Sequence, residues 1–114
     1  MKIQNYKFGT ITVDGQSFTN DVILFNDKII DNWWRKEGHR LAYEDFDIAL
    51  KENNPEVVII GTGKFGVMKV PDNVREKLES EGYEVKIEKT DKAVEMFNNQ
   101  VDEDKVCAAL HLTC

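Results

Sequence analysis

Val57-Val58-Ile59-Ile60-Gly61-Thr62-Gly63-Lys64-Phe65-Gly66 decides how this chain is read. Four β-branched apolar residues in a row describe a strand buried on both faces, the signature of a parallel sheet under helices. The strand runs straight into Gly-x-Gly-x-x-Gly. In an open sheet with helices on both sides, ligands bind beyond the carboxyl ends of such strands. The segment therefore locates a candidate site without naming a reaction.

Downstream of Glu44, helices and strands alternate. Phe46, Ala49 and Leu50 recur at helical spacing, and that helix ends near Asn53-Asn54-Pro55. Pro71-Asp72 opens a second helix, with Val74 and Leu78 on its inner face and Gly82 as its stop. Tyr83–Ile87 alternates as a strand. Thr90 is the expected N-cap of a third helix, with Ala93, Val94, Phe97 and Val101 facing inward. The run 105–112 is the last strand.

Upstream, the pattern is a β-meander of two hairpins. Tyr6, Phe8, Ile11 and Val13 form one apolar segment interrupted at Gly9. Asp14-Gly15 is a hairpin turn, because both residues tolerate positive φ. Short strands follow near 16–19, at 22–25 and at 28–31. The fold class expected is α/β with α+β character. An antiparallel meander precedes α-β-α-β-α-β, and a central mixed sheet carries helices and a second β layer. Residues 1–114 form a single globular domain, a common size that buries roughly two thirds of the unfolded surface.

Composition narrows the function classes. The chain is 41% hydrophobic and 32% charged, with a formal net charge of −6. That balance argues against nucleic acid and against docking on anionic lipid, both of which favour a basic surface. No apolar run approaches the roughly 20 residues that span a bilayer, and the amino terminus lacks the apolar core of a secretory signal. The expected location is the cytoplasm, with Cys107 and Cys114 as free thiols.

Three constellations carry possible chemistry. Gly61, Gly63 and Gly66, with Glu88 at the end of the next strand, match a dinucleotide fingerprint on paper. The fingerprint requires a helix to start at the glycines, whereas Phe65–Pro71 intervenes here. Its lesser form is an anion nest built from N–H groups of Thr62, Gly63 and Lys64. The second constellation is Trp33, Trp34, Arg35, Lys36, His39 and Arg40. In an extended segment one Trp faces the core and the other outward, and an outward Trp beside Arg is a hot-spot composition at protein interfaces. The third is His39, Cys107, His111 and Cys114. Cys107 and His111 share a strand face but lie roughly 13 Å apart along it, so no metal is expected. His111 with Cys114 has the composition of a thiolate–imidazolium pair.

Tyr6-x-Phe8-Gly9, Asp14-Gly15, the run 31–39, Gly61-Thr62-Gly63, Thr90-x-x-Ala93 with Asn98, and the run 108–114 recur in order along nearly the whole chain. Together they resemble a small single-domain archaeal and bacterial family of unassigned function. That family also includes a mitochondrial respiratory complex I assembly factor and an adipogenesis-associated domain protein. The resemblance implies a mixed sheet with a second β layer, no established reaction or cofactor, and roles in assembly or protein binding.

Two function classes follow as expectations. The first is a protein-interaction or assembly-type module. Its cleft would lie where Gly61, Thr62, Gly63 and Lys64 meet Trp34, Arg35 and His39 and the tail from His111 to Cys114. The second is an enzyme for a small anion or metabolite, in which Lys64, Arg35 and the loop amides hold the anion and His39 or His111 moves a proton. The oligomeric state is not legible in the chain.

Overall fold

The apolar run becomes β6 (Val57–Thr62), every residue of which is buried. The computed structural model describes residues 1–114. β6 lies between two parallel partners, β7 (Glu84–Glu88) and β8 (Val106–His111). β4 (Val22–Phe25) adds to β8 antiparallel, and β5 (Ile29–Ile30) closes that edge, giving the order β5-β4-β8-β6-β7. A separate antiparallel sheet holds β1 (Ile3–Lys7), β2 (Thr10–Val13) and β3 (Gln16–Phe18) in that order.

The meander is thus divided between two sheets. Its first three strands make the second β layer, and its last two extend the main sheet. Asp14 and Gly15 both take positive φ at the β2–β3 turn, as expected. The interruption at Gly9 is a complete chain reversal, with φ 81°, that separates β1 from β2.

Period-2 alternation sends the two halves of β6 into different cores. Val57 and Ile59 pack with the small sheet and with α3 (Thr90–Gln100). Val58 and Ile60 pack with Leu50 of α1 (Asp47–Asn53) and with Val74 and Leu78 of α2 (Asp72–Ser80). Burial of each such isoleucine is worth about 1.5–3 kcal/mol. The result is three layers around the main sheet, a mixed α+β architecture.

Two helix ends behave as their sequences require. Asn54 takes the left-handed conformation that ends α1, and its N–H reaches the Leu50 carbonyl at 2.8 Å. Pro71 stands just before α2. Thr90 departs from expectation: it is the first residue of α3, Lys89 occupies the cap position, and no side chain caps the helix.

Asn26, just after β4, ties three elements together. Its amide donates to the carbonyls of Val101 and Asp104 at 2.9 and 2.7 Å and accepts the Val106 N–H at 2.9 Å. Asn26→Ala would strand all three groups, and the expected loss is about 2–3 kcal/mol. A urea midpoint unchanged from the parent protein would refute this role.

Candidate functional site

The carboxyl ends of β6 and β8 meet the segment 31–41 at one end of the main sheet. That segment is irregular because alternate side chains serve different masters. Trp33 is 7% exposed, stacks near Phe46 with ring centroids 6.1 Å apart, and donates its indole N–H to the Asp45 carbonyl at 2.9 Å. Trp34 points outward and is 76% exposed. Arg35 turns in again, and only 4% of its side chain is exposed. The guanidinium carbon lies 4.7 Å from the centre of the Trp33 ring, a cation–π contact that covers one of its faces.

Arg35 Nη2 meets Asp21 Oδ2 at 2.8 Å, the Gly38 carbonyl at 2.9 Å and His111 Nδ1 at 3.0 Å. His111 Nδ1 also lies 2.9 Å from Asp21 Oδ2, and Asp21 Oδ1 accepts the Leu112 N–H at 2.8 Å. Burial alone would raise the Asp21 carboxyl. Hydrogen bonds from His111, from the Leu112 amide and from Arg35 outweigh it and hold the group below its usual value. An ionised Asp21 assigns the His111 tautomer. Nδ1 carries the proton and donates to Asp21, because lone pairs cannot face each other across 2.9 Å. Nε2 lies 3.5 Å from Thr113 Oγ1.

The glycine loop is stitched to the carboxyl-terminal tail. Gly63 N–H donates to Thr90 Oγ1 at 2.9 Å, and that hydroxyl donates to the His111 carbonyl at 2.6 Å. This bridge is why the Thr90 hydroxyl does not cap α3. Lys64 N–H donates to the Thr113 carbonyl at 2.7 Å, and Val67 N–H to the Cys114 carbonyl at 2.9 Å. Tyr6 donates its hydroxyl proton to the Leu112 carbonyl at 2.8 Å. Burial, aided by the charge of Asp91, pushes that phenol up to about 12 and keeps the proton in place.

The amides of Gly63 and Lys64 are therefore engaged inside the protein, and the loop does not present them to an anion. Gly61 packs against α3, where an added Cβ would come 2.8 Å from Thr90 Oγ1 and 3.3 Å from Ala93 Cβ. No helix starts at the glycines, since α2 begins at Asp72. The spacing that imitates a dinucleotide fingerprint serves close packing.

A cleft of about 480 Å³ opens beside this cluster, lined by Trp34, Arg35, Lys36, Asn20, Asn32 and Thr113 among others. His111 lies behind it, with the His39 ring edge-on at a centroid distance of 5.7 Å. Gly61, Thr62, Gly63 and Lys64 do not line the cleft. Lys64 Nζ pairs with Asp91 at 3.0 Å and lies 5.7 Å from the Tyr6 ring centre. Cys114 is half-buried, and its thiol makes no hydrogen bond to His111. Cys107 is fully buried, and burial pushes its thiol well above the ordinary range. No group of three His, Cys, Asp or Glu side chains is placed to hold a metal ion.

Asp21 was not singled out from the sequence, whereas Thr113 lies in the tail that was. Asp21 precedes a buried strand with no spacing that ties it to Arg35 or His111. A cavity of about 520 Å³ at the opposite end of the sheet involves Asn26, Pro55 and Lys105. The Asn26 amide there is engaged with Val101, Asp104 and Val106.

A family model described as a protein of unknown function (DUF498/DUF598) matches residues 3–111. The chain belongs to this family. The DUF498/DUF598 fold recurs in a conserved hypothetical protein of Pyrococcus horikoshii, with a TM-score of 0.83, 24% identity and 100% coverage of both chains. A protein of Bartonella henselae described as an outer membrane protein matches with a TM-score of 0.80 and 26% identity, over 98% of this chain and 94% of that one. An Mth938-like domain of Bordetella pertussis matches with a TM-score of 0.77 and 20% identity, over 97% and 85% of the two chains. No helix here is long and apolar enough to cross a membrane.

Proposed function

We propose that this chain is a protein-interaction module of the assembly type, with the Trp34 cleft as its docking surface. One observation carries the reading: Trp34 is 76% exposed at the rim of the cleft, between two neighbours that are anchored in the core. An outward indole on a rigid base is the composition of an interface hot spot. Asp21, Arg35 and His111 pair with one another beneath it, which makes a stiff platform. The sequence resemblance to a small archaeal and bacterial family that also includes an assembly factor supports the same reading. The competing reading, an enzyme for a small anion, relied on loop amides that are engaged with the tail and Thr90.

The test is affinity capture from lysate of the source organism. Trp34→Ala is expected to lose a partner retained by Ile48→Ala, a control on another large exposed apolar residue. Both variants should keep the parent thermal midpoint. Retention of every partner by folded Trp34→Ala would end this proposal.

A further inference from the structure

We propose that Phe8, Phe65 and Val67, with the cations beside them, form a second docking surface, which takes an acidic and apolar segment of a partner protein. This goes beyond the Trp34 reading, since it names another surface and the chemistry that it binds. Five large apolar side chains are exposed, and three of them are these. Phe8 is 52% and Phe65 66% exposed, yet the two rings meet with centroids 6.1 Å apart. They come from loops distant in sequence: Phe8 precedes the reversal at Gly9, and Phe65 follows β6. Single apolar residues scattered over a surface are ordinary, whereas an aromatic pair joined across two loops is a patch. Both loops are held to the tail. Gly9 N–H donates to the Leu112 carbonyl at 2.9 Å, Lys64 N–H to that of Thr113 at 2.7 Å, and Val67 N–H to that of Cys114 at 2.9 Å. The patch therefore stands on fixed backbone, and binding to it costs little ordering.

Charge beside the patch sets the chemistry of its partner. Lys69, two residues from Val67, is paired with Arg40 in a short parallel bridge. There Lys69 N–H donates to the His39 carbonyl at 2.7 Å, and Leu41 N–H to the Lys69 carbonyl at 2.9 Å. Like charges side by side on paired segments are unfavourable. Both side chains are exposed, and neither joins an ion pair. The segments 7–9, 34–40 and 64–69 together hold six Lys and Arg and one acid, Glu37, in a chain with 15 Lys and Arg against 21 Asp and Glu. Arg35 and Lys64 are paired internally, with Asp21 and Asp91. Lys7, Lys36, Arg40 and Lys69 are left without a counter-ion. Carboxylates set among apolar side chains complement such a surface. A second copy brings none beyond Glu37, because an isologous contact repeats the same patch. An anionic bilayer is wider than the molecule, whose longest extent is 35 Å, and so meets its net charge of −6. A segment the size of the patch meets the local cations alone, since charges beyond about 8–10 Å are screened.

The probe is a synthetic peptide with blocked ends that repeats Glu-Leu-Asp-Phe, titrated while nitrogen–proton NMR reads the amides of Gly9, Phe65, Val67 and Lys69. One control peptide replaces its acids by Lys, and another replaces its apolar residues by Ser. The acidic, apolar peptide is expected to shift those amides saturably, and both controls to leave them in place. Arg40→Glu and Phe65→Ser should each weaken it about fivefold or more with the thermal midpoint unchanged, while Ile48→Ser should not. If Phe65→Ser loses its fold, Arg40→Glu decides alone. Absence of a saturable shift at millimolar peptide overturns the proposal, as does equal binding of the lysine peptide. Two rival occupants would also overturn it. One is a phosphatidylserine vesicle that broadens the same amides and resists competition by the peptide. The other is a dimer in sedimentation that Phe65→Ser dissociates. The Trp34 reading stands or falls separately, since loss of a captured partner in Trp34→Ala does not depend on whether this peptide binds.

Discussion

Gly63→Ala is expected to lower stability by about 4 kcal/mol, a large part of the 5–15 kcal/mol that holds a small domain together. Two effects add. Gly63 has φ 103°, a backbone conformation that side chains rarely adopt, and forcing it costs about 1–3 kcal/mol. An added Cβ would also collide with the Cys114 carbonyl group and come 2.8 Å from His111 Cδ2. Overpacking of this kind costs about 1–3 kcal/mol more. The tail cannot retreat easily, because the amides of Lys64 and Val67 hold its last carbonyls. Gly15→Ala is the internal control, since Gly15 has φ 81° and nothing within 4 Å of its added Cβ. Urea unfolding should show a much larger fall in midpoint for Gly63→Ala than for Gly15→Ala. Equal falls would mean that the tail yields and the collision has no consequence.

Asp21→Ala is the second large effect, with an expected loss of about 3–5 kcal/mol, because it leaves the Arg35 charge buried without its counter-ion. Asp21→Leu combined with Arg35→Met should recover most of that loss, as apolar replacement of a whole buried pair is often neutral. The pH dependence has a definite sign. The folded carboxyl titrates below its unfolded value, so the unfolded chain binds more protons in the window between the two. The contribution is complete above the unfolded value of about 3.9 and is lost as pH falls through the folded one. Asp21→Asn should therefore flatten the acid limb of a plot of unfolding midpoint against pH. An acid limb identical in parent and variant would show that Asp21 is not the group responsible.

Much of the architecture was legible because period and turn chemistry are local. The run at 57–60 reported a strand buried on two sides, and Asp14-Gly15 reported a hairpin, without knowledge of anything distant. The separation of the meander into two sheets was not legible, since it depends on which edge each strand meets. The site divides in the same way. That one Trp of the pair faces outward follows from alternation alone. Asp21 was invisible, because its role comes from residues 14 and 90 positions away, Arg35 and His111. Thr90 misled for a related reason: a threonine before a helix matches a cap, yet its hydroxyl is drawn to Gly63 and His111 by contacts that only the folded chain makes.

The position of β8 has a consequence for synthesis. It is the central strand of the five, yet it is the last of the five to leave the ribosome. Until residues 106–111 emerge, β4 and β6 each present an open apolar edge, and the two halves of the main sheet have nothing between them. Pairings of this length in sequence form slowly, and unpaired edges invite aggregation. The nascent chain is thus most vulnerable in the interval before β8 emerges, and that is when a chaperone would protect it most.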